Sequence, residues 1–343
     1  MAQSPTSHRV RPMNIHVIGN SAAGRKYINR GGIPDLEPEA LAPGLPSTPA
    51  HNLKFHGGKT IQSLTFTNFF VGSNTSWAAS DISSIDHALA GAMSEPTLNN
   101  VMAQYFAAMP TSTFRPSVVL PGAAPATMSQ GDVEQLVTDL NTSGRFSGFD
   151  LTSTVFNFML PRGTVLNDNP AKGARDGLQP GEEHHRRGVP DEDEADSLNG
   201  LGGYHGSVII GTTTIYYAVG VFSETRNGQT NGIPVFDQPW KNVVATFYHE
   251  LNEARTDPDV EKVIAGGSSS LLGWASRQGE ECGDFPVFEA NPLTKVFKEV
   301  PLIGGGTAPV QFQYSNAAGG PEGPIPHPHP PARHVAPRVA VVA

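Results

Sequence analysis

Apolar residues return along this chain at two distinct spacings, and the spacing says which segments coil and which extend. From 240 to 254, Trp240, Val244, Phe247, Leu251 and Ala254 recur at three- and four-residue steps, which gathers them on one stripe of a helix running from about 235 to 257. The Asp257-Pro258 pair ends it, because a residue before proline avoids the helical region. Three more segments have helical spacing: 81–94, with Ser80 or Asp81 as N-cap, 96–109 with Pro96 in the first turn, and 129–141 capped by Ser129. Alternation marks strands instead at 61–72, 152–161, 204–210, 213–222, 295–303 and 309–315. The pair 204–210 and 213–222 reads as a hairpin turning at Gly211. Leu271 to Trp274 form a short apolar patch.

Other stretches lack either period. Residues 1–58 are rich in Gly, Pro and Ala and read as flexible. Residues 162–200 carry dense charge, three prolines and almost no large apolar groups, which predicts a disordered insertion. The tail 317–343 is proline-rich and reads as disordered. The sum is one α+β (or α/β) domain over 59–316, with a mixed sheet packed on helices.

Composition agrees with a packed core broken by irregular stretches: 343 residues, 38% hydrophobic, with 37 Gly and 30 Pro. The balance of 23 Lys and Arg against 32 Asp and Glu gives −9. No basic stripe is present to follow phosphates, so no nucleic-acid partner is expected. No apolar run is long enough for a transmembrane segment. The start shows no conventional secretory signal, and Cys282 as the lone cysteine weakly favours a reducing compartment.

The chemistry concentrates at 249–253, His-Glu-Leu-Asn-Glu. His249 and Glu253, four apart, stack on a face roughly opposite the apolar stripe and can grip one divalent cation. Glu250 beside them is placed to act as a base. In His-Glu-x-x-His hydrolases two helical ligands hold zinc and the intervening Glu polarises a bound water. Glu253 replaces the second His here, and a carboxylate also suits harder cations. A third ligand must come from elsewhere, and 279–284 offers Glu280, Glu281, Cys282 and Asp284. Acidic neighbours should raise the Cys282 thiol, which argues against a nucleophile. The competing view is a solvated helix face whose His249 and Glu253 pair with Arg255 or Arg277. His205 reads as a turn histidine, the 256–259 run as a helix terminator rather than a calcium site, and His184 and His185 as residues of the insertion.

Four features together resemble the EXORDIUM-like, phosphate-induced protein family of plants and its bacterial relatives. They are Gly203-Tyr204-His205; the His249-Glu250-Leu251-x-Glu253 helix followed by Thr256-Asp257-Pro258; Gly273-Trp274 leading into Glu281, Gly283 and Asp284; and a closing aromatic strand, Phe312 to Asn316. The likeness covers roughly 61–316. It implies a zincin-like domain, His249 and Glu253 as ligands to Zn2+ or another divalent cation, Glu281 or Asp284 as a third, and Glu250 as general base. It also implies secretion, although the plant members carry several cysteines that this chain lacks. The expected function is a zinc-dependent hydrolase of metallopeptidase type with peptide or protein substrates. The alternative is a non-catalytic extracellular or cell-surface protein with a structural or vestigial metal site.

Overall fold

The computed structural model describes residues 47–169, 195–260, 269–277 and 279–332, together with 15–17, 42 and 45. The architecture mixes helices and sheets, consistent with an α+β class. Six strands form the main sheet, in the order Ile15–Val17, Leu201–Ile210, Thr213–Gly220, Thr154–Met159, Ser63–Phe70 and Thr111–Val119. The last four run parallel to one another, while Leu201–Ile210 is antiparallel to both its neighbours. The hairpin turns at Gly211, whose φ of 63° suits a residue without a Cβ.

Parallel strands are covered on both faces, and here the covering helices differ. On one face, Phe66, Phe70, Val155 and Ala218 pack against the helices Ala79–Ser94 and Pro239–Thr256. On the other, Phe69, Phe156, Phe158 and Tyr217 meet Val133, Val137 and Leu140 of the helix Gln130–Thr142. Ser129 caps that last helix in a reciprocal capping box with Asp132. Asn157 and Asn68 stand opposite each other in the sheet, and Asn157 Nδ2 donates to Asn68 Oδ1 at 2.9 Å.

The expected elements need three corrections. The helix Ala79–Ser94 begins two residues earlier than its apolar period suggests, with Ala78 as N-cap, so Ser80 and Asp81 lie in its first turn. The segment 96–109 is not one helix but a single turn, Pro96–Asn99, followed by the 3-10 turn Met102–Tyr105. Thr111–Val119 is an additional strand at the sheet edge. Its residues are mostly half-exposed, so no clean apolar alternation marks it.

Packing also reaches beyond 59–316. Thr48, His51 and Leu53 are buried, and the His51 ring stacks on Phe285 with centroids 3.7 Å apart. Tyr314 Oη donates to Thr48 O at 2.6 Å, and Leu53 N to Asn316 Oδ1 at 2.8 Å. Gly320–Glu322 pairs with Gln313–Ser315. Within the expected insertion, Thr164 and Ser197 are buried and Asn167 bridges to Asp196. The rest of that insertion, 170–194 with His184 and His185, lies outside the described residues, as do 1–14, 18–41 and 333–343. No helix among the described residues is long and apolar enough to cross a membrane.

Candidate metal centre

Pro239 opens the central helix Pro239–Thr256 at a position where its missing N–H costs nothing, and Asp257 closes it. Its apolar stripe packs on the sheet as expected. The opposite face does not meet solvent. Every residue from Lys241 to Thr256 is buried, because His205, the segment 279–284 and Gln311 cover the polar side. This overturns the solvated-face alternative. Arg255 points elsewhere too: its Nη2 donates to Thr111 O at 2.8 Å and Gln62 O at 3.2 Å.

Two close approaches assemble the centre. Gly203, two residues before His205, sits where a Cβ would meet Val219 O at 2.4 Å and Thr246 Cγ2 at 2.9 Å. The helix therefore comes tightly onto the strand Leu201–Ile210 and brings Glu250 to His205. At the other side Gly283 lies directly over the helix. Its N–H donates to Glu253 Oε1 at 2.9 Å, and its carbonyl accepts from Gln311 Nε2 at 2.6 Å. With its amide N–H group spent there, Gln311 presents Oε1 to His249 Nδ1 at 2.9 Å, so that nitrogen is the donor. The other ring nitrogen, Nε2, carries the lone pair and faces Glu253 Oε2 at 3.0 Å.

His205 approaches the same oxygen from the sheet. Its Nδ1 is 3.2 Å from Glu250 Oε2 and 3.7 Å from Glu253 Oε2, while its Nε2 faces Asp257 O at 3.3 Å and Glu281 Oε1 at 3.6 Å. Burial drives His205 down to about 3 and His249 down to about 4, so both rings are neutral near pH 7. A neutral imidazole has one N–H, yet both edges of His205 face oxygens. One edge is left with lone pair against lone pair unless a cation or a carboxyl proton lies between.

The acids make the same demand more strongly. Glu250, Glu253, Glu281 and Asp284 are fully buried, and no Lys or Arg among the described residues pairs with any of them. Burial pushes all four well above the ordinary carboxylate range, and mutual repulsion adds to it for Glu250, Glu281 and Asp284. Glu250 Oε1, Glu253 Oε2 and both Glu281 oxygens accept no hydrogen bond among the described residues. Buried, uncompensated carboxylate oxygens facing imidazole lone pairs fit a divalent cation, and this nitrogen–oxygen donor set suits zinc, manganese or iron.

Each expected residue has a definite place. His249, Glu253 and Asp284 offer donor atoms within 4.8 Å of one another, and so do His205, Glu250 and Glu253. Glu281 instead faces His205 from the ring edge away from Glu250. Asp284 Oδ2 accepts from Glu281 N at 2.8 Å, which holds the two acids in register. Glu280 is turned away onto Ser276 Oγ. Cys282 is buried and its thiol is pushed up, first by burial and then by Glu253, as its acidic neighbours led one to expect. Asp257 ends the helix, and its Oδ1 also accepts from Gly273 N at 3.0 Å.

His205 is the functional candidate that sequence reasoning passed over. A lone imidazole on a strand has no spacing partner, since Glu250 lies 45 residues away. The available signal was Gly203 on the same strand, a residue that permits close approach. Comparison with protein-family models, with curated proteins and with solved structures returned no match.

Proposed function

We propose that this chain is a metal-dependent hydrolase of the zincin type acting on peptide bonds, with zinc or a similar divalent cation. The observation that carries this is the position of Glu253 Oε2, 3.0 Å from His249 Nε2 and 3.7 Å from His205 Nδ1. Asp284 completes the donor set with His249 and Glu253. His249, Glu253 and Asp284 would hold the cation, which when bound would lower the pKa of a water toward ~7 and polarise a carbonyl. Glu250 would take the proton: its Oε1 accepts no hydrogen bond among the described residues and lies 4.0 Å from His249 Nε2. Gln311 keeps the proton of His249 on Nδ1, so that Nε2 stays available.

One observation favours a second reading. All the candidate ligands are fully buried, as in a closed structural metal site. The ion would then hold the central helix to the 279–284 segment in a non-catalytic protein. The two are separated by Glu250→Gln assayed on casein and a peptide library. In the hydrolase, the variant keeps the ion of the His249, Glu253 and Asp284 group and loses cleavage. In the structural case, wild type and variant are equally inert, and a chelator lowers the melting temperature of both.

A further inference from the structure

We infer that the buried cluster is a two-cation centre, with Glu253 bridging one divalent ion held by His249 and Asp284 and a second held by His205 and Glu250. This rests on the metal-binding proposal above and extends it from one ion to two.

Geometry provides two donor groups that share a single residue. The unprotonated nitrogen of His249 and the Nδ1 edge of His205 reach Glu253 Oε2 from two sides. Glu250 repeats the pattern with one oxygen for each ring: Oε2 is 3.2 Å from His205 Nδ1, and Oε1 is 4.0 Å from His249 Nε2. Glu253 thus stands between the two imidazoles as the bridge, while Glu250 gives Oε2 to the second ion and keeps Oε1 for the proton. Glu250 Oε1 and Glu253 Oε2 are fully buried and accept no hydrogen bond among the described residues.

Charge points the same way. Glu250, Glu253, Glu281 and Asp284 face one another without a Lys or Arg partner among the described residues. Asp257 also repels Glu253 and Glu281, but it belongs to neither donor group: its Oδ1 accepts from Gly273 N and its backbone carbonyl faces His205. Two divalent ions cancel four carboxylates, whereas a single ion leaves two buried negative charges uncompensated. Three carboxylates with two imidazoles as ligands is one carboxylate short of the set in di-iron and di-manganese carboxylate centres. Glu281, on the far edge of His205, serves to orient that ring rather than to bridge.

The test uses the full chain, stripped with a chelator, reloaded with Zn2+ or Co2+, desalted and measured for ions per chain. Wild type is expected to retain two. His205→Gln and Asp284→Asn should each retain one, with unchanged far-UV circular dichroism as the check on folding. Independently of any variant, the Co2+-loaded wild type should show magnetic coupling between its ions through the Glu253 bridge. Saturation at one ion per chain with uncoupled Co2+ overturns the second ion and leaves the hydrolase proposal standing. Saturation at zero overturns both, and means that carboxyl protons neutralise the cluster.

Discussion

Gly283 and His249 share a space that admits no side chain: a Cβ at 283 would come within 2.3 Å of His249 Nδ1 and 2.9 Å of Glu253 Oε1. The glycine in the 279–284 segment is therefore what lets that segment lie flat on the helix. Gly283→Ala must push the segment off His249 and lengthen the hydrogen bond to Glu253. The expected cost is ~1–3 kcal/mol of stability, the range for overpacking, together with at least a tenfold loss in Zn2+ affinity. Urea unfolding and a competitive metal titration measure the two effects. An affinity equal to wild type would mean that the segment does not shape the centre.

Gln311→Ala removes the acceptor that holds the His249 proton on Nδ1. The ring is then free to turn or to change tautomer. Outer partners of this kind are worth roughly 10–100-fold in metal affinity. The variant should stay folded, bind Zn2+ that much more weakly, and regain binding at higher ion concentration.

Stability should fall with pH more steeply in the stripped protein than in the loaded one. Above about pH 7.5 both histidines are almost wholly neutral, folded or unfolded, because the ordinary value is 6.5 and their folded values lie at about 3 and about 4. The clustered acids are held well above the ordinary carboxylate range, and Asp257, outside both donor groups, is raised to about 8. From about pH 7.5 upward the stripped native state therefore holds protons that the unfolded chain has already released. Its stability falls as pH rises, by up to about 1.4 kcal/mol per pH unit for each proton held. A cation bound at the cluster would displace the cluster's protons and leave that of Asp257, so the loaded protein should show the shallower slope. Melting temperatures with and without chelator at about pH 7.5, 8 and 8.5 decide it. Parallel slopes would count against a cation at these acids.

Arg255 lies on the same helix yet serves the sheet edge, where it donates to the carbonyls of Gln62 and Thr111. Arg255→Leu removes this donor from both carbonyls, of which Gln62 O keeps the Thr111 N–H at 3.0 Å, and costs about 1–3 kcal/mol. The variant should unfold at markedly lower urea while retaining the wild-type number of ions. Loss of metal without loss of stability would reverse these roles.

Much of this was legible along the chain because it is local. The helical period from Trp240 to Ala254, the Ser129 cap and the hairpin around Gly211 each depend on neighbours within a few residues. The stacking of His249 on Glu253 follows from the same helical spacing. What the spacing could not carry was the surroundings of that face. A polar stripe of His, Glu and Asn looks the same whether it meets water or a buried cover of His205, Gly283, Asp284 and Gln311. Burial was decided by Gly283 and Gln311, 30 and 62 residues from their partners on the helix. His205 was missed for the same reason. Thr111–Val119 escaped because an edge strand with one paired side and half-exposed residues has weak alternation.

The supports of the centre are spread over four segments: the strand Leu201–Ile210, the central helix, the segment 279–284 and the strand Thr307–Gln311. During synthesis on the ribosome, His205 and the helix emerge long before Gln311 can hold His249 in place. A growing chain shorter than about 311 residues thus lacks the side chain that orients His249, and capture of an ion by the centre would fall among the last events in maturation.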